Sequence, residues 1–230
     1  MPSGPARQTH AALAVAAFDF DGTLTRGGSV WRFLATIVGT PHLVRAALPL
    51  LWKFVLAGTL GGRWIDEAKE SLFRRTLRGL EVSEVAPRAA RFGLDHYRRH
   101  ARKDTRARLE WHRAHGHKIV IVSASPELYV RPVGEELKVD AVVATRLEVT
   151  DDGRLSGRYD GGNCRAFTKI ESLRSWMTQS SGGGTTYLWA YGNSAGDSAL
   201  LEAADVGVDT GRLGRLGKLR RFPRLKDLGS

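Results

Sequence analysis

Ala11-Ala12-Leu13-Ala14-Val15-Ala16-Ala17-Phe18 runs without a break into Asp19-Phe20-Asp21-Gly22-Thr23-Leu24-Thr25. The first half is short and wholly apolar, which reads as a strand over residues 12–20 buried on both faces. The second half sets two carboxylates two residues apart at the carboxyl end of that strand. Strand side chains alternate, so Asp19 and Asp21 face the same side and can share one metal or one substrate. Gly22 then lets the chain turn. In open α/β sheets this is the end at which ligands bind. A calcium loop would need further oxygen ligands at short spacing, and the apolar run that follows does not supply them.

Outward from this stretch the pattern is helical over residues 30–115. Trp64–Leu77, Val82–Arg99 and Thr105–His115 are rich in Ala, Leu, Arg and Glu and are punctuated by glycines. Past Gly116 the pattern changes. Lys118–Ser123 is a β-branched run, a buried parallel strand. A helix is expected over Pro126–Leu137 and a strand over Ala141–Thr150. Asp151-Asp152-Gly153 is a hairpin turn that leads into a return strand, Arg154–Tyr159. Lys169–Gln179 and Ser198–Ala204 read as helices, and Thr186–Tyr191 and Asp205–Val208 as strands. The economical arrangement is an α/β core with a parallel sheet and helices on both faces, into which an all-helical block is inserted. The expected boundaries are 11–27 and 117–210 for the core and 28–116 for the insertion. Residues 1–10 and 211–230 read as flexible tails.

Composition narrows the class. The chain has 230 residues, 42% hydrophobic and 26% charged, an ordinary globular mixture. Its one cysteine, Cys164, excludes an intrachain disulfide framework and a multi-cysteine zinc site. The net charge is +11, and it is clustered. Residues 211–230 carry seven basic side chains against Asp227 alone, and no acidic residue lies between Asp21 and Asp66. Such clusters suit anionic lipid or phosphorylated ligands; an arginine-rich composition accounts for part of the total. The basic runs lack the aromatic interleaving of a nucleic-acid platform, so no nucleic acid is expected. Val30–Leu60 is very apolar, but Arg32, Arg45 and Lys53 interrupt it and Pro41 and Pro49 break it. It falls short of a spanning helix and fits either packed helices or a segment lying on a bilayer. His112, His115 and His117 read as histidines at the exposed end of a helix. Trp111, Trp176, Trp189 and Cys164 read as packing residues.

Four separated motifs together resemble the haloacid dehalogenase (HAD) superfamily of hydrolases, subfamily IB, the phosphoserine-phosphatase-like group. They are Asp19–Thr25; Ile119–Ser125, a strand ending in Ser123; Lys169 opening a helix after Asn163-Cys164; and Tyr191-Gly192-Asn193-Ser194-Ala195-Gly196-Asp197 at a strand end. The resemblance covers roughly residues 13–209. It implies a Rossmann-like core with a helical cap and a magnesium-dependent phosphomonoester hydrolase working through an aspartyl phosphate. By the same resemblance Asp19 is the nucleophile and Asp21 the general acid and base. Ser123 and the backbone of Ala124 hold phosphate, with Gly22 and Thr23 also at the substrate, and Lys169 neutralises charge. Mg2+ is expected on Asp19, the carbonyl of Asp21, Asn193 and Asp197. Asn193 departs from the commonest pattern, which has aspartate there, so a weaker metal site is expected.

Phosphoserine phosphatases carry an acidic residue shortly after the first motif. Here Arg26-Gly27-Gly28-Ser29-Val30 has none. The insertion is apolar, tryptophan-rich and locally basic, and resembles the cap of bacterial phosphatidylglycerophosphate phosphatases. That implies a lipid phosphate substrate, with a small metabolite such as phosphoserine as the alternative. A non-catalytic phosphate- or membrane-binding module is a third reading. A cytoplasmic protein with peripheral contact at the inner membrane face, through the cap or the basic C-terminal tail, is the matching location.

Overall fold

The computed structural model describes residues 13–53, 63–161, 167–211 and 221–228. The leader, Cys164, Asn163 and most of the basic tail lie outside the described residues. The chain begins with β1 (Leu13–Phe18), then α1 (Val30–Val38), α2 (Thr40–Ala47) and a 3-10 turn over Leu48–Leu50. α3 (Arg63–Leu77), α4 (Val82–His100) and α5 (Lys103–Ala114) complete the helical block. Then come β2 (Lys118–Pro126), α6 (Glu127–Glu136), β3 (Ala141–Val149) and β4 (Leu155–Asp160). α7 (Phe167–Ser181), β5 (Thr186–Gly192), α8 (Ser198–Glu202) and β6 (Val206–Asp209) close the fold.

The six strands form one sheet in the order β4-β3-β2-β1-β5-β6. All neighbours are parallel except β3 and β4, which pair antiparallel across the Asp151–Gly153 turn. The sheet is therefore mixed at one edge, as the hairpin signal predicts. β1 lies at the centre, with Phe18 in register with Ile121 of β2 and with Tyr191 of β5. The alternation of β1 divides the interior. Ala16 and Phe18 join a core that includes Phe20, Phe33, Tyr129 and Tyr191. Val15 and Ala17 join a second core, on the opposite face, with Leu173 and Met177 of α7 and Leu200 of α8. Central placement brings the Asp19–Asp21 turn between the carboxyl ends of β2 and β5, where the second and fourth motifs emerge.

The helical block shares the first core instead of forming one of its own. Phe33, Leu34 and Ile37 of α1, Leu72 and Phe73 of α3 and Val85 of α4 cluster with Phe18 and Phe20. α4 lies so close to α6 that a Cβ at Gly93 would collide with the Tyr129 carbonyl. Each buried side chain of this size stabilises the packing by about 1.5–3 kcal/mol. Among the described residues no single helix is long and apolar enough to cross a membrane. Val30–Val38 and Thr40–Lys53 reach that length only together, across a bend of 119°.

Two expectations change. His112 is fully buried, not a surface residue. Its Nε2 meets the Tyr191 hydroxyl at 2.7 Å and its Nδ1 meets His117 Nδ1 at 2.8 Å. The reason is geometric: α5 lays this side chain over the Phe18–Tyr191 stack, whose ring centroids are 4.4 Å apart. Residues 221–228, part of the expected tail, return to the sheet. The Asp209 amide donates to the Pro223 carbonyl at 2.9 Å, and Arg224 Nη2 donates to the Gly211 carbonyl at 3.2 Å.

Candidate active site

Asp19 follows β1 directly, and its amide donates 2.9 Å to the Tyr191 carbonyl, which continues the β1–β5 ladder by one residue. Its carboxylate is buried, and Oδ1 accepts from Lys169 Nζ at 2.7 Å. The same ammonium donates to Asp197 Oδ1 at 2.6 Å. Lys169 stands at the start of α7 and is 2% exposed, so its charge is held by these two carboxylates. Both ion pairs and burial are needed together, because an unpaired buried ammonium would shed its proton. Burial alone would lower the Lys169 pKa; Asp19 and Asp197 reverse this and hold it above the ordinary lysine value.

Asp197 is anchored from its other side. Its Oδ2 accepts from the amides of Asn193 and Ser194 at 3.2 and 3.0 Å and from Ser194 Oγ at 2.8 Å. Burial pushes its pKa up, but Lys169 and Ser194 outweigh that and bring it below the usual carboxylate value. Asp19 shifts the opposite way, up to about 7, because burial and the neighbouring Asp197 exceed the pull of Lys169.

Asp21 is supported by hydroxyls. Ser125 Oγ donates to Asp21 Oδ2 at 2.5 Å and Ser29 Oγ at 2.9 Å. Ser29 also shares a hydrogen bond of 2.7 Å with the Tyr129 hydroxyl. The other oxygen, Oδ1, is buried with no hydrogen-bond partner. Burial raises the Asp21 pKa against the lowering effect of Ser125 and Ser29. With both hydroxyls on Oδ2, a proton on this carboxyl belongs on Oδ1.

A cavity of about 230 Å³ opens among these groups, lined by Asp19, Asp21, Ser123, Ala124, Lys169 and Asp197, with Val30 and Lys69 from the helical block. Ser123 is buried, and its Oγ accepts the Ser125 amide at 3.0 Å, which leaves its own proton to donate. Lys69 Nζ donates to the Ala124 carbonyl. Thus six sequence-expected residues converge on one cavity. Gly22, Thr23 and Asn193 do not line it. Thr23 is fully buried and donates to Asn193 Oδ1 at 3.2 Å. Gly22, at φ +85°, is where a Cβ would collide with the Asn193 amide. These two residues therefore place Asn193 beside the Asp21 turn and do not reach the cavity.

Ser29, Lys69, Ser125 and Arg102 are additions that motif reading missed. Arg102 Nη1 donates to the carbonyls of Gly22 and Thr210, each at 2.6 Å, and so ties the end of the helical block to the catalytic turn. Ser125 was within reach, since it lies in the second motif two residues past Ser123.

The oxygens available for a magnesium ion are hard donors of the right kind: the Asp19 carboxylate, the Asp21 carbonyl and Asn193 Oδ1. Among the described residues no group of three or more His, Cys, Asp or Glu forms a metal cage. In kind, these few oxygens suit magnesium, which keeps waters and substrate oxygens in its shell. Asp197 fits it less well, because the donors on both of its oxygens already occupy it.

A mostly parallel sheet that presents a buried Asp-Lys-Asp chain at its carboxyl edge, under a helical insertion, defines an α/β core with its site at the strand ends. Residues 16–202 match the haloacid dehalogenase-like hydrolase family, and the chain belongs to that family. It is 36% identical to Protein CicA of Caulobacter vibrioides over 198 residues, 85% of each chain. A crystal structure of a protein of unknown function from Bordetella pertussis Tohama I superposes with a TM-score of 0.75 at 21% identity, over 93% of this chain and 98% of that one. Phosphoserine phosphatase from T. onnurineus superposes with a TM-score of 0.56 at 27% identity, over 90% and 88% of the two chains.

Proposed function

We propose that this hydrolase is a phosphomonoesterase that works through an aspartyl phosphate on Asp19. The observation that carries this reading is the division of labour between two carboxylates. Asp19 is paired with Lys169, while Asp21 Oδ1 is buried without a partner at the same cavity. Lys169 favours the anion of Asp19 against the burial that raises its pKa. Among the described residues no such cation pairs with Asp21 Oδ1, which is suited to hold a proton, the division that acid–base chemistry at a charged group requires.

In the first step an Asp19 oxygen attacks phosphorus and the ester P–O bond breaks. The proton on Asp21 Oδ1 passes to the leaving alkoxide. In the second step Asp21 takes a proton from the attacking water, the Asp19–phosphorus bond breaks, and inorganic phosphate leaves. Ser123 Oγ and the Ala124 amide orient phosphate oxygens, and Lys169 offsets charge beside Asp19. Asp19, the Asp21 carbonyl and Asn193 would hold Mg2+, which supplies positive charge against the phosphoryl oxygens. Asp197 acts by fixing Lys169.

The relative that is a phosphoserine phosphatase supports a small phosphorylated metabolite. A lipid phosphate is favoured by a different observation. Trp31, Val44, Leu48, Leu51 and Trp52 are exposed on the helical block, with Arg32 and Arg45 among them. Peripheral contact with an anionic membrane through this surface belongs to the same reading.

The test is phosphate release from phosphoserine, a sugar phosphate and phosphatidylglycerophosphate in mixed micelles, with magnesium and with chelator. Magnesium-dependent release that Asp19→Asn abolishes supports the proposal, and the preferred substrate separates metabolite from lipid. Release undiminished by Asp19→Asn overturns it.

A further inference from the structure

A second cavity, of about 500 Å³, lies between α1 and α4. It shares no lining residue with the catalytic cavity. Arg32, Arg88, Arg91, Arg99, His96 and His100 line it. Asp95 is the one carboxylate in the lining, and Phe92 gives it an aromatic wall. Arg88 is held at the rim by the carbonyls of Thr36 and Ile37, at 2.7 and 2.8 Å. Arg32 Nη1 meets His100 Nε2 at 2.7 Å. Among the described residues Arg91 and Arg99 have no ion pair, and both are exposed.

His96 is the observation that separates this cavity from an ordinary basic surface. It is 4% exposed, and its Nε2 is buried without a hydrogen-bond partner. A buried polar nitrogen left unpaired costs about 1–3 kcal/mol, so native structures keep few of them. Its ring stacks on Phe92 with centroids 5.5 Å apart. It is also crowded by cations: burial first, then His100 and Arg32, hold it neutral, with its pKa down to about 4. Four guanidinium groups and two imidazoles converge where one carboxylate opposes them. That is an excess of donors and positive charge over the acceptors the chain supplies there, which are the Asp95 carboxylate and the two carbonyls that hold Arg88.

We infer that this cavity is a second anion site, which binds a multiply charged phosphate group with the four arginines as counter-charges and His96 Nε2 as a buried contact. Guanidinium groups match phosphate oxygens bidentately, which suits this chemistry better than a single carboxylate ligand would. The volume has room for a phosphate ester or diphosphate, with an organic or lipid remainder resting near Phe92. Phe92 and His96 also connect the site to the catalytic turn, since the His96 ring lies 6.3 Å from that of Phe20, the residue between Asp19 and Asp21. The inference does not depend on the catalytic reading and survives its failure.

Two sources can supply such a ligand: a soluble diphosphate or an anionic lipid headgroup. The probe for the first is inorganic pyrophosphate, titrated without magnesium while the imidazole nitrogens are followed by NMR, with the His96 signals assigned through His96→Gln. The titration is run on the wild type, on Asp19→Asn, and on the double variant Arg91→Ser/Arg99→Ser, whose exposed side chains can be removed without disturbing the core. The probe for the second is co-sedimentation with vesicles of phosphatidylcholine, with and without phosphatidic acid. The expected result is a saturable shift of His96 in the wild type and in Asp19→Asn, weakened by about tenfold or more in the double variant, which is about 1.4 kcal/mol. Binding to phosphatidic acid vesicles that the double variant loses and pyrophosphate competes for assigns a lipid headgroup; a pyrophosphate shift without vesicle binding assigns a soluble ligand. His96 unmoved by either probe, or equal affinity in the wild type and the double variant, overturns the site.

Discussion

Ser29 stands at the N-cap of α1 yet makes no cap hydrogen bond; its hydroxyl donates instead to Asp21 Oδ2, 2.9 Å away. Serine is favoured at this position because it satisfies an orphan amide, a contribution of about 1 kcal/mol. Here that contribution is forgone and the hydroxyl serves the carboxyl group. A hydrogen bond to a carboxylate favours its charged form, so Ser29 and Ser125 both restrain the rise that burial imposes on Asp21. Ser29→Ala should leave α1 folded while raising the Asp21 pKa further, because one of the hydrogen bonds that favour the charged form is gone. The alkaline limb of the kcat profile, where the acid loses its proton, should move to higher pH. A profile that keeps its limbs while kcat falls would show that Ser29 only shapes the cavity.

Lys169 is the sole ammonium held between Asp19 and Asp197 among the described residues. Lys169→Met removes it and leaves two buried carboxylates facing each other. Breaking a buried pair in this way costs about 3–5 kcal/mol. The loss has a sign in pH. Without the lysine, the folded pKa of both aspartates lies above the unfolded value, so the folded state prefers the protonated form. The variant's stability then falls as pH rises from 5 to 8. In the wild type Asp197, whose pKa is lowered, contributes stability above pH ~4 that is lost on acidification. Thermal melts at pH 5 and 8 check this: the deficit of Lys169→Met relative to wild type should be larger at pH 8. Activity should be abolished at both.

Asn193 is fixed by Thr23 and by the Gly22 turn, so a carboxylate of the same shape would point the same way. Asn193→Asp adds one negative charge to a donor set of one carboxylate and neutral oxygens. At an effective dielectric of about 20 and 4 Å, one charge pair is worth about 4 kcal/mol before desolvation is subtracted, so a gain near tenfold in magnesium affinity is a modest expectation. Magnesium titration of activity, or calorimetry on the unreacted enzyme, should show the half-saturation falling by about that factor. Unchanged magnesium dependence would remove Asn193 from the metal shell.

The strands themselves and the position of the two aspartates were legible because both follow from local pattern. An apolar run of β1's length has one good environment, the sheet centre, and the next residues must then emerge at its carboxyl edge. Ser123, Lys169 and Asp197 were legible only through the resemblance of their motifs to the family, since nothing local marks a serine, a lysine or an aspartate at an element's end as part of a site. Ser29 and Lys69 were not, because their roles depend on how α1 and α3 lie over the cavity, and nothing local encodes that approach. Thr23 shows the converse error. It sits in the motif, and yet its side chain turns inward to Asn193 and Thr210, away from the cavity. His112 was misplaced because α5 is so polar that no apolar stripe marks the face it buries. The order of its surroundings comes from Phe18 and Tyr191, which are distant in sequence.

Two buried histidines make the fold acid-sensitive. Burial holds His112 down at about 3 and His96 at about 4, against an ordinary value of 6.5. A histidine whose folded pKa is depressed binds its proton in the unfolded chain first. Stability therefore falls as pH drops below 6.5 and keeps falling until the folded pKa is reached. At pH 5 each group costs about 2 kcal/mol, since one pH unit below the unfolded pKa corresponds to about 1.4 kcal/mol. Together the two costs are a large part of the 5–15 kcal/mol that keeps a typical domain folded. Unfolding by denaturant should show stability falling steeply between pH 6.5 and 5. His112→Gln keeps a side chain that can bond to Tyr191 but cannot take up a proton. It should be less stable than wild type at pH 7.5, because the ring packing on Trp111 and Tyr191 is reduced. Its slope against pH should nevertheless be shallower by about one histidine's share. Parallel curves for variant and wild type would mean that His112 takes up its proton in the folded state as readily as in the unfolded chain, and would remove it as a source of acid sensitivity.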